Sequence, residues 1–578
     1  MSVPSHSAPT TLEGPPLGPV LPNIATLLER NAERYPDIVV FRELKEGIFV
    51  GPTWREFLET VRTAAWWLKE LGLQAGDRCA IVSPNRLAML QFELAVMASG
   101  GVAVPIFHGY PRQVLTELIS FCEARFLALG GVSQLDRIDP ALDLERIIIF
   151  DDVGIRRSAA QIPWSALCSG PRDSRFALAL DADPDATCLM QYTSGTTGKP
   201  KLVQLSHRNI LSQRTALDPI WSDQEGGRLL SYLPWHHSFG GIFELFNGLA
   251  RGATITLEPS YGKDPISIVE SWKVVRPTAF FSVPKVYQSL MDLTRTDPGA
   301  RKAILHPALS FVFTAAAPLP DLVAREFDAH GARIIEGWGL TETAPCCTIA
   351  GIATRRRPGV VGLPIPGVRI RIADDGEIQV RGPNVMKGYY NNDEANALAF
   401  TPDGWFRTGD VGAIEPQGLR LIGRGDRIFK LSNGEKVVSS EVEQILQGAC
   451  HYLTFAIVEG SGRSFPVALL FPNRDLLAGA PDISGCICPR SLPELSRCLH
   501  GCLGEANASI VQKFARIRYA VLVDADLSIE GGTLTPSMKV VAGNVADMYR
   551  ATIEGLYEID GPTSEDVYVV TFAQKNEE

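Results

Sequence analysis

The stretch from Gln191 to Ile210, QYTSGTTGKPKLVQLSHRNI, concentrates groups suited to holding a polyphosphate. Thr193, Ser194, Gly195, Thr196, Thr197 and Gly198 are followed by Lys199 and Lys201. Glycine lets successive N–H groups converge on an anion with no Cβ in the way. The hydroxyls add donors and can reach Mg2+, and the lysines supply positive charge. The loop therefore reads as a phosphate cradle. It is not a Walker A loop, because only two residues separate Gly195 from Gly198 and Pro200 stands where that loop needs Ser or Thr. Proline also removes an N–H that such a loop uses. A P-loop kinase or ATPase is accordingly disfavoured.

A second concentration of metal-ligating types is Cys486-x-Cys488 followed by Cys498, His500 and Cys502. Its spacing fits no structural zinc pattern. It reads instead as a loop running into an amphipathic helix.

The elements that must carry the cradle alternate between strand and helix patterns. Thr53 and Glu56 form a capping box, and Phe57, Val61, Ala64 and Leu68 keep helical spacing behind it. Short apolar strands are expected in DRCAIVSP (77–84), GVAVPIF (101–107), RIIIFDD (146–152), ATITL (253–257), AFFSVP (279–284) and LSFVFTAAAPL (309–319). Strands alternating with helices imply parallel sheets. Beyond about Gly362 the texture changes: VRIRIADDGEIQVRGP (368–383) reads as a hairpin, and Asn433–Gly434 marks another turn. Gly-Arg-Gly-Asp-Arg (423–427) is a flexible polar link between two domains.

Composition bounds the rest. The chain has 578 residues, 45% hydrophobic and 21% charged, so disorder is excluded for its bulk. A net charge of −10 argues against non-specific nucleic-acid binding but leaves anionic substrates open. Eleven cysteines, an odd number, do not suggest a disulfide framework and favour a reducing, cytoplasmic setting. The nearly apolar stretch Leu94–Phe107 is too short to span a membrane. Residues 1–22 contain six prolines and read as a disordered leader rather than a signal peptide.

Tyr192–Lys201 resembles the phosphate-loop signature of the adenylate-forming superfamily of acyl-CoA synthetases, luciferases and adenylation domains. Further segments resemble that superfamily in the expected order: LPWHHSFGG (233–241), EGWGLTETAP (336–345), GWFRTGD (404–410), GRGDRIFKLSNGEKV (423–437) and GGTLTPSMKV (531–540). LTPSMK, YAVLVDADLSIEGG and DGEIQVRGPNVMKGYYNN are most similar to long-chain fatty acyl-CoA synthetases.

The resemblance implies roles residue by residue. Lys539 would bridge the carboxylate and the α-phosphate, and His237 would stand next to the acyl and α-phosphate site; His236 takes no role. Glu342 and Thr193 would be Mg2+ ligands, in keeping with a cation that takes few protein oxygens beside phosphate and water. Thr193–Lys199 and Lys201 would hold the phosphates. Glu336, Gly337, Trp338, Gly339 and Thr341 would border the nucleotide, with Trp338 stacking on adenine or packing in the core. Asp410 would accept from the ribose hydroxyls beside Arg424. Lys430 would contact the nucleotide in one state, and Asp426 would be the hinge.

The fold class implied is α/β. A large N-terminal domain (23–422) has parallel-rich sheets, flanking helices and a small β-barrel-like subdomain. A hinge (423–427) leads to a small mobile α+β domain (428–578) carrying the lysine. The activity implied is ATP- and Mg2+-dependent conversion of a fatty or similar apolar acid to acyl-AMP, then to acyl-CoA with release of AMP. Two alternatives remain: an acyl-AMP ligase loading a carrier-protein phosphopantetheine thiol, and a non-catalytic adenylate-binding protein. ATP, the acid and CoA or the carrier thiol are the partners. A homodimer and peripheral membrane contact are left open.

Overall fold

A computed structural model describes residues 11–151, 153, 160–169, 172–173, 176–193, 201–219, 226–315, 319, 321–351, 357, 359–479, 488–528, 531–535, 540–558 and 567–572. Local signals are obeyed where they were strongest. Thr53 Oγ1 accepts from the Glu56 N–H at 3.4 Å, and Glu56 Oε2 accepts from the Thr53 N–H at 2.8 Å. The helix they open, Trp54–Glu70, buries Phe57, Val61, Ala64 and Leu68, the positions expected from spacing.

The chain divides into two compact units. One is Met1–Thr408 with Ala413–Leu421; the other is Gly409–Gly412 with Ile422–Glu578. The larger unit holds two sheets. In the first, among the described residues, the order is Gly388–Tyr389, Lys201–Ser206, Thr187–Thr193, Val102–Ile106, Arg78–Val82, Phe126–Leu129, Arg146–Ile149 and Gln161–Pro163. Its strands from Thr187–Thr193 onward pair in parallel. In the second, the parallel strands Thr254–Leu257, Arg228–Ser231, Ala279–Ser282, Phe311–Thr314 and Arg333–Trp338 stand side by side. Antiparallel strands, where a barrel-like subdomain was expected, continue this sheet in order beyond Arg333–Trp338. They include the predicted hairpin, Arg369–Ile372 with Glu377–Arg381.

Parallel strands are nearly continuous apolar runs because both faces are covered by helices. Val82, Val104, Ile106, Leu127 and Leu129 are buried in the first sheet; Phe280, Phe281, Val312, Phe313 and Ile335 are buried in the second. The smaller unit packs the strands Leu453–Glu459, Val467–Pro472, Tyr519–Val523 and Val567–Thr571 in one sheet. Its helices include Ser439–Ala449 and Leu492–Ser509.

Two expectations need correction. The leader is not disordered over its described part: Thr11–Glu13 pairs with Arg369–Arg371, and Leu12, Leu17, Val20 and Leu21 pack on the core. Proline spacing forbids helix there, but it permits extended chain at a sheet edge. Residues 1–10 lie outside the described residues. The sequence reading also kept everything up to residue 422 in the large domain, whereas Gly409–Gly412 groups with the smaller unit. Asp410 of that stretch is ion-paired to Arg424 at 3.0 Å, and a Cβ on Gly409 would meet the Arg424 guanidinium.

Candidate active site

Open α/β sheets bind ligands beyond the carboxyl ends of their parallel strands. The predicted site residues of the larger unit gather at such ends. The strand Thr187–Thr193 turns back into Lys201–Ser206 with Thr193 opposite Lys201, so the two strands bracket the cradle. Ser194, Gly195, Thr196, Thr197, Gly198 and Lys199 lie outside the described residues, as does Lys539. Lys201 Nζ stands 5.0 Å from the centre of the Tyr389 ring, a cation–π distance.

Glu342 sits in a single 3₁₀ turn, Thr341–Thr343, just past the strand Arg333–Trp338. It is only 9% exposed. Its Oε1 accepts the Tyr389 hydroxyl at 2.8 Å, and Oε2 accepts no hydrogen bond among the described residues. The turn is braced from two sides. Gln213 Nε2 donates to the carbonyls of Thr343 and Cys346 at 2.7 and 2.6 Å. Asn384 Nδ2 donates to the same two carbonyls at 3.0 and 3.1 Å. Both carboxamides are buried, where an unmade hydrogen bond would be costly. An anchored carboxylate with one oxygen to spare, in the same corner as Lys201, suits a hard cation shared with phosphate.

The glycines before Glu342 are required by close approach. A Cβ on Gly339 would lie 1.7 Å from the Pro345 carbonyl oxygen, and one on Gly337 would lie 2.4 Å from the Phe313 ring. Glu336 Oε1 accepts the Leu319 N–H at 3.2 Å. Trp338 is 7% exposed and belongs to the main core cluster.

His237 lies past the end of Arg228–Ser231, another parallel strand of the same sheet. Its Nδ1 accepts the Phe239 N–H at 3.3 Å, and its carbonyl accepts from Gly241 at 2.8 Å. A π-helical turn, Phe239–Glu244, follows at once; such turns often mark functional sites. Ser238 Oγ and Thr341 Oγ1 meet at 3.1 Å, joining the histidine segment to the Glu342 turn. Asn85 braces the other side, donating to the Leu233 carbonyl at 2.8 Å and accepting from the Trp235 N–H at 3.1 Å. Burial, with the nearby His237 and His108, holds His236 down to about 3, so it is neutral at ordinary pH. Its ring lies 5.0 Å from Phe107.

An aromatic row leaves this corner. Phe313, against Gly337, meets Phe243 at 4.5 Å and Phe281 at 5.6 Å, and Phe281 meets Phe311 at 5.9 Å. Phe281 and Phe311 border a small cavity with Leu229, Gly248, Ala253 and Ala279.

In the smaller unit, Arg424 Nη1 donates to Asp410 Oδ1 at 3.0 Å, and Arg424 Nε lies 3.8 Å from Asp426 Oδ1. Asp426 is exposed within the 3₁₀ turn Gly425–Arg427. Arg427 is held by Glu443 and, at 3.2 Å, by Glu459. Lys430 is exposed, opposite Lys436. Cys498 and Cys502 bring their sulfurs to 3.9 Å on the predicted helix, Leu492–Ser509. Cys486 lies outside the described residues.

Two family models match most of the chain. The family model for the AMP-binding enzyme matches residues 28–390, and that for the AMP-binding enzyme C-terminal domain matches 426–560. The chain belongs to the AMP-binding enzyme family. Among curated members, a long-chain-fatty-acid–CoA ligase of Mycobacterium bovis is 28% identical, over 93% of this chain and 97% of that protein. A 3-[(3aS,4S,7aS)-7a-methyl-1,5-dioxo-octahydro-1H-inden-4-yl]propanoyl:CoA ligase of Mycobacterium tuberculosis is 31% identical, over 68% of this chain and 77% of that protein. Among solved structures of the fold, ATP-bound MatB of Rhodopseudomonas palustris superposes with a TM-score of 0.72 at 24% identity, covering 91% of this chain and 99% of that one. As an AMP-binding enzyme, the chain is an AMP-forming acid–thiol ligase.

The family motifs were legible as sequence, but several residues that hold them together were not singled out. Tyr389 lay within a quoted motif without a role. Asn384 and Ser238 also lay within quoted motifs without a role, while Gln213 and Asn85 stood outside them, their partners being distant in sequence.

Proposed function

We propose that this AMP-binding enzyme activates a fatty or similarly apolar carboxylic acid with ATP and transfers the acyl group to CoA. In the first step a carboxylate oxygen attacks the α-phosphorus, the bond to the β-phosphate breaks, and pyrophosphate leaves. In the second the CoA thiolate, its proton lost to solvent, attacks the acyl carbon, the bond to AMP breaks, and AMP leaves. The first step joins two anions, so it needs positive charge and donors where the new charge collects. It also needs the reactants held together beforehand.

Thr193, the 194–199 stretch and Lys201 are proposed to hold the phosphates, with the nucleotide along Glu336–Gly339 and Thr341. Glu342 and the Thr193 hydroxyl would hold Mg2+, which when bound neutralises phosphate charge. His237 is assigned to the neighbourhood of the reacting carboxylate on the sequence resemblance. Asp410, oriented by Arg424, would accept from the ribose hydroxyls, and Lys430 would contact the nucleotide in one state. Lys539 is assigned to the carboxylate and α-phosphate on the sequence resemblance, and Asp426 to the hinge on the same ground.

The observation that carries the reading is the convergence of Lys201, Tyr389 and Glu342 at the end of the hairpin that brackets the cradle. An apolar acid is supported by the resemblance to long-chain fatty acyl-CoA synthetases and by the long-chain-fatty-acid–CoA ligase relative. The test is a pyrophosphate-release screen over acids of varied length and shape, with and without CoA. Release is expected with apolar acids and acyl-CoA only when CoA is present; release with no acid at any length contradicts the proposal.

A further inference from the structure

We propose that Tyr389 is a positioning residue for adenylation, holding the Glu342 carboxylate and the Lys201 ammonium in one unit. This rests on the reading of Glu342 as the Mg2+ ligand. Tyr389 is itself tightly placed. The strand Gly388–Tyr389 pairs with Lys201–Ser206, Tyr389 lying opposite Val203. The Asn396 carboxamide holds the backbone of Tyr389 at both ends, accepting from its N–H at 2.7 Å and donating to its carbonyl at 2.9 Å. Gly388 has φ +143°, and a Cβ there would lie 2.8 Å from Asn396 Oδ1, so that closeness depends on glycine.

From this mount the side chain does two things. Its hydroxyl donates to Glu342 Oε1 at 2.8 Å, and its ring face lies 5.0 Å from Lys201 Nζ. The same segment also holds the Glu342 backbone, because the Met386 N–H donates to the Glu342 carbonyl at 2.8 Å. With one carboxylate oxygen fixed, the other is presented in a single direction, and the side-chain entropy lost on binding a cation is already spent. Outer partners of metal-binding carboxylates typically change metal affinity by about 10–100-fold when removed. Lys201, at the mouth of the phosphate loop, is set by the same ring. A phenylalanine would keep the ring and the cation–π contact but leave the buried Oε1 without its donor.

Tyr389→Phe separates these roles. Affinity for Mn2+·ATP, measured by titration calorimetry without acid, is expected to fall by about 10–100-fold. The Mg2+ concentration for half-maximal pyrophosphate release should rise in parallel, while the melting temperature of the free chain stays close to that of the parent. Tyr389→p-aminophenylalanine, which keeps an N–H donor at the same reach, should recover part of the affinity and serves if the Phe variant does not fold. Glu342→Gln distinguishes the two readings. If it lowers Mn2+·ATP affinity and Tyr389→Phe does not, the proposal falls while the Glu342 assignment stands. If Glu342→Gln leaves the affinity unchanged, the Glu342 assignment falls and takes the proposal with it. A p-aminophenylalanine variant no better than the Phe variant also overturns side-chain donation as the cause.

Discussion

On the proposed reading, Lys539 and Glu342 divide the labour of bringing two anions together, and each should fail in its own way. Lys539 is assigned to the step in which carboxylate meets α-phosphate, where its charge counts most. Lys539→Ala is expected to lower acyl-AMP formation by roughly 10²–10³-fold, the scale of losing one electrostatic donor. Thioester formation from supplied acyl-AMP and CoA should persist. Rapid-quench measurement of the two half-reactions checks this, and equal loss of both would contradict the assignment. At this scale the sequence was most informative about chemistry-bearing residues, because Thr193, Lys201, Glu342 and Asp410 sit in dense local motifs. It was least informative about their supports. Gln213 holds the Thr343 carbonyl across 130 residues, and Tyr389 reaches Glu342 across 47, so no local pattern could announce them.

Elements tell a related story. Strands and the capping-box helix were readable because apolar runs and caps are local. The helix Leu87–Ala98 is buried nearly all round, and no local pattern discloses that Gln91 and Glu93 are among its buried residues. Burial pushes the Glu93 carboxyl up to about 8, and its Oε2 has no hydrogen-bond partner among the described residues. The folded chain therefore keeps this proton until about pH 8, whereas the unfolded chain loses it near the ordinary value of 4.5. Across that interval the unfolded state binds fewer protons, so this group costs stability as pH rises. Glu93→Gln keeps the shape and removes the titration. Its melting temperature relative to the parent is expected to climb between pH 5 and pH 8. Parallel melting curves over that range would show that Glu93 does not titrate in this way. The edge strand Thr11–Glu13 was illegible for the opposite reason: its pairing with Arg369–Arg371 depends on a partner some 360 residues on, not on its own composition.

At the scale of the whole molecule, no helix among the described residues is long and apolar enough to cross a membrane. Two units with separate cores carry different parts of the predicted machinery. The larger bears the phosphate hairpin, the histidine segment, the Glu342 turn and the aromatic row; the smaller bears Asp410, Arg424, Asp426 and Lys430. The sequence places a polar link at Gly423–Arg427, whereas Gly409–Gly412, earlier in the chain, groups with the smaller unit, where Asp410 pairs with Arg424. The central claim is that an acid is joined to AMP before it meets a thiol. It is tested most directly by following oxygen. With an apolar acid labelled with ¹⁸O in its carboxylate, ATP, Mg2+ and CoA, one labelled oxygen should appear in the phosphate of AMP. Label found in inorganic phosphate, or AMP formed without label, would contradict the account.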